Sequence, residues 1–356
     1  MINDKGILIK NVYYMLSYAC SFLKKTKYES VSKEDFDNIF GLFAAILSKG
    51  ISLQLKRGLH KEYISKEENL NTVRGKINVY NSIKNKINHK VMIDCEYDEF
   101  SENNILNQIL KSTAFLLIKE KTVNKEYKEK LKKEMVFFTN VDFIDLRLVQ
   151  WKRIKLDRNC GDYSVLMAIC QLIAEGCLIT TDSGEYRLAS FVDEEHFNRL
   201  YEKFILEYYA QEYGSKYKGF TSRASQIEWQ LDDGYSYQLP IMQSDITLKY
   251  NNKYLIIDAK YYGKVYQEHF NVQTIHSGNI YQIFTYVKNK EFELKDVEHE
   301  VAGMLLYAKT SEDISPDNNY RMSNNLISVK TLDLNQPFNL IKEQLDTIAN
   351  NYFELK

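Results

Sequence analysis

The stretch that decides the fold of the C-terminal half covers residues 243–260 and reads QSDITLKYNNKYLIIDAK. Asn251 and Asn252 lie between two strand-like runs, and Asn is favoured in two-residue hairpin turns because it tolerates a positive φ. A turn centred on these residues places Asp245 directly opposite Asp258. The sequence therefore predicts an antiparallel hairpin in which two carboxylates face each other, with Cβ atoms roughly 4.5–5.5 Å apart.

Two opposed carboxylates destabilise a sheet unless a positive charge lies between them. Lys260 follows Asp258 by two residues, so strand alternation places both side chains on one face of the sheet. The apolar residues 255–257 are typical of a buried strand, at whose end the carboxylates would emerge. Asp245 and Asp258 then offer hard oxygen ligands for Mg²⁺, and Lys260 would orient or deprotonate a water that attacks a phosphodiester. The alternative is a surface hairpin with solvated side chains.

An Asp followed about a dozen residues later by Asp-x-Lys resembles the core motif of the PD-(D/E)xK nucleases, with Ser244 in place of the Pro. The resemblance implies further site residues on the flanking helices. Glu202, on an amphipathic helix before the sheet, matches an acidic residue of such nucleases and would be a third metal ligand. Alternatively, Glu202 lies on the solvated edge of that helix and binds no metal. Gln282 and Tyr286 match the QxxxY signature of the RecB-like branch, which contacts DNA or braces the site.

The order of predicted elements indicates an α/β (α+β) protein with two domains. Residues 1–160 would form a domain of mixed helices and strands, including a basic strand with a Gly kink at 73–79. Residues 161–356 would form a restriction-endonuclease-like domain. Its pattern is an apolar helix, a long amphipathic helix around 197–209, three strands, a helix, two strands and a final helix. This pattern predicts a central mixed sheet flanked by helices.

Composition narrows the class of protein. The 47 Lys+Arg and 48 Asp+Glu residues give a net charge of −1, which excludes a highly basic nucleic-acid coat but leaves room for local patches. The five cysteines lack a C-x-x-C pair and favour reduced thiols over disulfides or zinc. The sequence shows no signal peptide and no apolar run of the roughly 18–20 residues that a membrane span needs. We therefore expect a cytoplasmic protein with no membrane contact.

Several segments along the chain narrow the family. They are residues 9–19 (IKNVYYMLSYA), 74–77 (RGKI), 101–111 (SENNILNQILK), 258–262 (DAKYY) and 276–282 (HSGNIYQ). Together they resemble McrC, the nuclease subunit of the McrBC modification-dependent restriction system, and the resemblance runs nearly from end to end. The N-terminal segment combined with the nuclease motif is the more specific part of this resemblance.

The resemblance implies a division of labour between two proteins. A McrB-like AAA+ GTPase hexamer would bind GTP and recognise double-stranded DNA carrying methylated cytosine, while McrC docks on the ring, stimulates GTP hydrolysis and cuts. The absence of a G-x-x-x-x-G-K-[ST] loop from this sequence agrees with the second role. Residues 1–160 would contact the ring, with Arg74 and Lys76 as candidates. A solvated basic hairpin, or direct contact with DNA phosphates, is the alternative for these two residues.

The sequence thus predicts a Mg²⁺-dependent DNA endonuclease of a type IV restriction system that acts within a GTPase complex. Two alternatives stay open. One is a catalytically silent adaptor that binds the ring and activates its GTP hydrolysis. The other is a stand-alone DNA repair nuclease of the RecB-like type, which would cut without any nucleotide.

Overall fold

The computed structural model describes residues 7–19, 28, 31, 34, 36–154, 156, 161–176, 178–180, 186–188, 194–261, 266–269, 272–309 and 316–355. The chain divides into two compact units. The first contains the described residues up to Leu42 and those from Glu175 onward, and the second is Phe43–Ala174. None of the helices in these described ranges is long and apolar enough to cross a membrane.

The helices, in chain order, are α1 (Ile9–Ala19), α2 (Ile39–Leu55), α3 (Val79–Ile87), α4 (Ile105–Lys119), α5 (Lys125–Met135), α6 (Gly161–Gly176), α7 (Glu194–Lys216), α8 (Ser277–Glu293) and α9 (Phe338–Phe353). Short 3₁₀ turns cover Val136–Phe138, Leu146–Leu148 and Trp151–Arg153. The strands are β1 (Glu62–Leu70), β2 (Lys76–Ile77), β3 (Ile93–Ser101), β4 (Leu178–Thr180), β5 (Tyr186–Leu188), β6 (Thr221–Arg223), β7 (Gln226–Ile227), β8 (Met242–Gln243), β9 (Ile246–Tyr250), β10 (Lys253–Lys260), β11 (Tyr266–His269), β12 (Val272–Ile275), β13 (Glu300–Ala308), β14 (Asn318–Met322) and β15 (Asn325–Leu332).

The second unit contains a three-stranded antiparallel sheet in the order β1–β3–β2. The strand predicted over residues 73–79 is confirmed only at β2, and the chain then enters α3. Asn78 caps this helix, because its side-chain oxygen accepts a hydrogen bond from the backbone N–H of Asn81. The sequence interpretation followed the basic charges and missed the apolar residues of α3, which recur at helical spacing.

The first unit is built on a six-stranded mixed sheet in the order β14–β15–β13–β10–β9–β6. Strand β13 runs parallel to both β10 and β15, and the other pairings are antiparallel. This confirms the predicted mixed α/β sheet. Strand β10 is therefore central, and every residue from Leu255 to Ala259 is buried. A buried strand with neighbours on both sides fixes the backbone positions from which the side chains at its carboxyl end project.

Two helices position the carboxyl end of β10. The apolar stripe predicted on α7 is buried along its whole length, and the Tyr201 hydroxyl donates a hydrogen bond to the Leu306 carbonyl of β13. Helix α8 approaches β13 at Gly303, where a Cβ atom would lie only 2.8 Å from atoms of both Ile283 and Val287. Glycine at this position allows α8 to pack directly on the sheet.

The first described helix belongs to the sheet-containing unit rather than to an N-terminal domain. The Asn11 amide donates hydrogen bonds to the carbonyls of Leu334 and Gln336, both at 2.8 Å. Tyr14 stacks on Phe338 of α9 with ring centroids 4.3 Å apart. The division predicted near residue 160 thus differs from the observed units, since polar and aromatic contacts between residues far apart in sequence tie α1 to α9.

Candidate active site

The β9–β10 hairpin has the register that the sequence predicts, up to its last pair. Asn251 has a φ of 54°, and the ladder continues regularly to the pair Ile246–Ile257. Asp245 lies in a bend before β9, so it is not directly paired with Asp258 as predicted. Its Oδ2 atom instead accepts a hydrogen bond of 3.0 Å from the backbone N–H of Ala259. The bend turns this carboxylate toward the end of β10.

Asp258 is the most deeply buried charged side chain of the site. It is 1 % exposed, and apart from an ion pair with Lys260 neither of its oxygens has a hydrogen-bond partner among the described residues. Lys260 Nζ lies 2.9 Å from Asp258 Oδ1 and 3.9 Å from Asp245 Oδ2. The predicted grouping of two aspartates and a lysine at the end of a core strand is therefore present.

Burial dominates the electrostatics of the two aspartates. It raises the pKa of Asp258 above the usual 3.8; the Lys260 ammonium opposes this rise and the Asp245 charge adds to it. Burial also raises the pKa of Asp245, against the opposing effects of Lys260 and of the Ala259 N–H. Above these raised pKa values, two desolvated carboxylates share one ammonium, so the ionised site carries more negative charge than its own lysine neutralises.

Glu202 lies on α7 within the electrostatic field of this group. Burial raises the pKa of Glu202 to about 7, the Asp245 charge adds to the rise and Lys260 opposes it. Within the described residues, however, no three Asp, Glu, His or Cys side chains lie close enough together to hold one metal ion. The structure therefore places Glu202 near the two aspartates without joining it to them as a third ligand.

The residues that are present fit a Mg²⁺ ion. The fit is indicated by Asp258, because apart from the ion pair with Lys260 its buried oxygens have no hydrogen-bond partner in the described part of the chain, which leaves acceptor positions for a ligand. Mg²⁺ is usually held by one or two carboxylates and completes its shell with waters and substrate phosphates. Asp245 and Asp258 satisfy that requirement without a third acidic ligand.

The QxxxY pair is brought together on α8. Gln282 Nε2 donates a hydrogen bond of 2.9 Å to the Tyr286 hydroxyl. Tyr286 is buried in the same apolar cluster as Ile256 of β10 and Leu305 of β13, whereas Gln282 is half-buried. These contacts favour a bracing role for Tyr286, one of the two roles that the resemblance implies, and leave the Gln282 amide at the edge of the cluster.

Two asparagines near the site were not predicted from the sequence. Asn198 of α7 donates a short hydrogen bond to Glu202 Oε1 and accepts one of 2.7 Å from the backbone N–H of Tyr261. Asn279 of α8 donates a bond of 2.9 Å to the hydroxyl of Tyr307, which is paired with Lys260 in the β10–β13 register. The i, i+4 spacing of Asn198 and Glu202 was a visible signal, but the contact with Tyr261 was not.

Arg74 and Lys76 lie in the second unit on either side of Gly75. The Arg74 guanidinium lies 4.0 Å from the centroid of the Tyr97 ring, and Lys76 Nζ lies 3.7 Å from Glu96 Oε2. Gly75 has a φ of 68°, and a Cβ atom there would collide with the Glu96 carbonyl oxygen. Glycine at position 75 therefore allows the backbone to lie close to Glu96 of β3. This close approach sets the directions of the Arg74 and Lys76 side chains.

Helix α3 exposes an apolar face next to these residues. None of its nine residues, all of them described, is buried. Its exposed large side chains are Val79, Tyr80, Ile83 and Ile87. An exposed apolar face of this kind, rimmed by basic residues, is typical of a surface that contacts another molecule.

Comparisons with known proteins identify the family of the chain. The family described as McrBC 5-methylcytosine restriction system component matches residues 3–308. The chain is 26 % identical over 354 residues to the type IV methyl-directed restriction enzyme EcoKMcrBC of Escherichia coli (strain K12), covering 98 % of this chain and 99 % of that protein.

The fold is similar to that of a solved structure, the refined half-complex from a tetradecameric assembly of Thermococcus gammatolerans McrB AAA+ hexamers with bound McrC. The TM-score is 0.52 with 16 % identity, over 96 % of this chain and 76 % of that chain. Since the family match covers most of the sequence and includes the Asp245–Lys260 hairpin, the chain belongs to the family of McrBC 5-methylcytosine restriction system components.

Proposed function

We propose that this chain is the DNA-cleaving subunit of a modification-dependent restriction complex and that it hydrolyses phosphodiesters with Mg²⁺. The observation that carries the proposal is Asp258, a fully buried carboxylate whose Oδ1 atom forms an ion pair of 2.9 Å with Lys260 and whose oxygens otherwise have no hydrogen-bond partner among the described residues. Such a group costs folding free energy, and strongly perturbed carboxylates of this kind cluster at functional sites.

Asp245 and Asp258 would hold the ion, which would act as a Lewis acid toward the phosphate and would lower the pKa of a nearby water. The rest of the chemistry belongs to the chain. Lys260, whose ammonium lies within 4 Å of both carboxylates, would stabilise the negative charge that develops on the phosphate. The N–H of Ala259 fixes the Asp245 carboxylate. Tyr286 keeps α8 packed on the strand that carries Asp258.

The proposal assigns GTP hydrolysis to a partner, because this sequence has no phosphate-binding loop of its own. In the T. gammatolerans assembly, McrC is bound to McrB AAA+ hexamers. By analogy, we expect this chain to dock on a McrB-like AAA+ GTPase hexamer and to stimulate its GTP hydrolysis. The exposed apolar face of α3, with Arg74 and Lys76 beside it, is the surface that we assign to this contact.

A reconstituted cleavage assay tests the proposal. The chain is mixed with the McrB-like GTPase, a plasmid carrying methylated cytosine, GTP and Mg²⁺, and linear product is followed with time. We expect Lys260→Ala to slow cleavage by about 10²–10³-fold, as for the loss of one group that stabilises developing charge. Asp258→Ala is expected to slow it at least as much, and cutting by this variant at the wild-type rate would contradict the proposal.

The same assay separates the two alternatives. A wild-type chain that stimulates GTP turnover but never cuts methylated DNA would be an adaptor. A chain that cuts without the GTPase and without nucleotide would be a stand-alone nuclease. We expect neither result, since the aspartate pair and the lysine are all present and the α3 face is exposed.

A further inference from the structure

Asn198 connects the two elements that meet at the proposed active site. It lies in the second turn of α7, and its amide makes two hydrogen bonds of opposite direction. The Nδ2 group donates a short bond to Glu202 Oε1, and the Oδ1 atom accepts a bond of 2.7 Å from the N–H of Tyr261. Tyr261 directly follows Lys260. One side chain therefore ties the acidic residue of the helix to the strand end that carries the lysine.

The two bonds fix the orientation of the amide. The Tyr261 N–H can only donate, so the oxygen of Asn198 must face it, and the NH₂ group must then face Glu202. The rings of Phe197 and Tyr261, whose centroids are 4.5 Å apart, hold this part of α7 against the strand end. The orientation of the Asn198 NH₂ group that donates to Glu202 is thus fixed by the backbone N–H of Tyr261, which follows β10.

Glu202 needs such a donor. It lies among like charges, because the negative charges of Asp245 and Asp258 both act on it and Lys260 only partly offsets them. Without an anchor, repulsion would turn the carboxylate away from the aspartates toward solvent. With the anchor, it remains beside them, and above its raised pKa of about 7 it adds negative charge next to the two-carboxylate site.

We propose that Asn198 is a positioning residue that holds the Glu202 carboxylate beside Asp245 and Asp258 and so strengthens the binding of a divalent cation there. The inference rests on the proposed function, since it takes the aspartate pair as the cation site. Loss of a residue that orients a ligand or a neighbouring charge typically weakens metal binding about 10–100-fold. Asn198 acts through Glu202, so its effect requires that carboxylate.

A double-mutant cycle tests the inference without measuring activity. The full chain is titrated with Mn²⁺, which takes the same oxygen ligands as Mg²⁺. The concentration of free Mn²⁺ is measured by electron paramagnetic resonance. We expect Asn198→Ala to raise the dissociation constant for Mn²⁺ about tenfold. In the Glu202→Gln background the same substitution should have no further effect, because the carboxylate that it positions is already gone.

Thermal unfolding and one further variant separate positioning from folding. Arg199→Ala is the control, because it removes only an exposed ion pair with Glu195 on the same helix, and it should leave Mn²⁺ binding unchanged. If Asn198→Ala does not fold, Asn198→Ser takes its place in the cycle, since its side chain is too short to reach Glu202. The inference is overturned if the Asn198 variant binds Mn²⁺ like the wild type, or if it weakens binding equally in both backgrounds.

Asp258→Asn, measured in the same titration, separates this inference from the proposed function. If Asp258→Asn binds Mn²⁺ as tightly as the wild type, the aspartate pair is not the cation site and both proposals fail. If Asp258→Asn abolishes binding while the Asn198 variant has no effect, only the role of Asn198 is wrong.

Discussion

Lys260 Nζ lies 2.9 Å from Asp258 Oδ1 at the carboxyl end of the central strand β10, and this ion pair is almost completely buried. The lysine neutralises only one charge, although Asp245 Oδ2 also lies 3.9 Å from the same nitrogen. We therefore expect the arrangement to lower the stability of the folded chain, and under the proposed function it forms the negative site that binds the cation. Stability and function should respond in opposite directions when Asp258 is changed.

The first prediction concerns the stability of Asp258→Asn. The folded-state pKa of Asp258 is raised above 3.8, so the stability that its protonation contributes is complete below that pH and is lost as the pH rises through the folded pKa. At pH 8 in EDTA, the variant should therefore unfold at a temperature a few degrees higher than the wild type. The difference should shrink toward pH 4. A variant less stable than the wild type at pH 8 would contradict the account.

The second prediction concerns the packing of α8 on the sheet. Gly303→Ala places a methyl group 2.8 Å from side-chain atoms of Ile283 and Val287, and overpacking of this kind costs about 1–3 kcal/mol. Chemical denaturation should show this loss. Gly278→Ala is the matched control, because a Cβ atom there meets nothing within 4 Å, and it should leave stability unchanged or slightly raised. Equal effects of the two substitutions would argue against the packing.

The third prediction concerns the contact surface in the second unit. Gly75→Ala should weaken binding to the GTPase ring, since the added methyl group collides with the Glu96 carbonyl and redirects Arg74 and Lys76. Gly58→Ala is the control: its φ of 88° is also unfavourable for alanine, but nothing lies within 4 Å. Stimulated GTP turnover, titrated with each variant, measures the contact. A loss with both variants would indicate backbone strain alone.

The fourth prediction concerns DNA binding by the isolated chain. Its net charge is −1, whereas proteins that hold DNA alone gain most of their non-specific affinity from an excess of phosphate contacts. We expect micromolar or weaker binding to a methylated duplex at about 150 mM salt, measured by fluorescence anisotropy. Tight binding in the absence of GTP and of the partner would show that this chain, and not the ring, holds the DNA.

Local patterns in the sequence predict the core of the sheet-containing unit well. The hairpin register follows from the turn at Asn251, and the helix α7 follows from an apolar stripe whose members are all buried. Asp258 and Lys260 follow from the same register, because side chains in a strand alternate between two faces. These features depend on residues that are close together in the sequence, so a single sequence displays them directly.

Features that depend on distant contacts were missed. The bend at Asp245 is stabilised by the N–H of Ala259 on the next strand. The prediction that Asp245 pairs with Asp258, which extended the β9–β10 ladder by one pair, was therefore wrong. The association of α1 with the C-terminal unit depends on Asn11 reaching the Leu334 carbonyl. The bond from Tyr261 to Asn198 joins residues 63 apart in sequence. None of these contacts leaves a periodic pattern in the chain.

The most direct test of the central claim measures DNA cleavage and GTP turnover in one reaction, with the chain, its GTPase partner, methylated DNA, GTP and Mg²⁺. The comparison is between Asp258→Asn and Asp296→Asn, which changes an exposed aspartate of the same unit. We expect Asp258→Asn to lose cleavage by at least about a hundredfold while GTP turnover stays at the wild-type rate, and Asp296→Asn to keep both. Cleavage by Asp258→Asn at the wild-type rate would contradict the assignment of phosphodiester hydrolysis to this site.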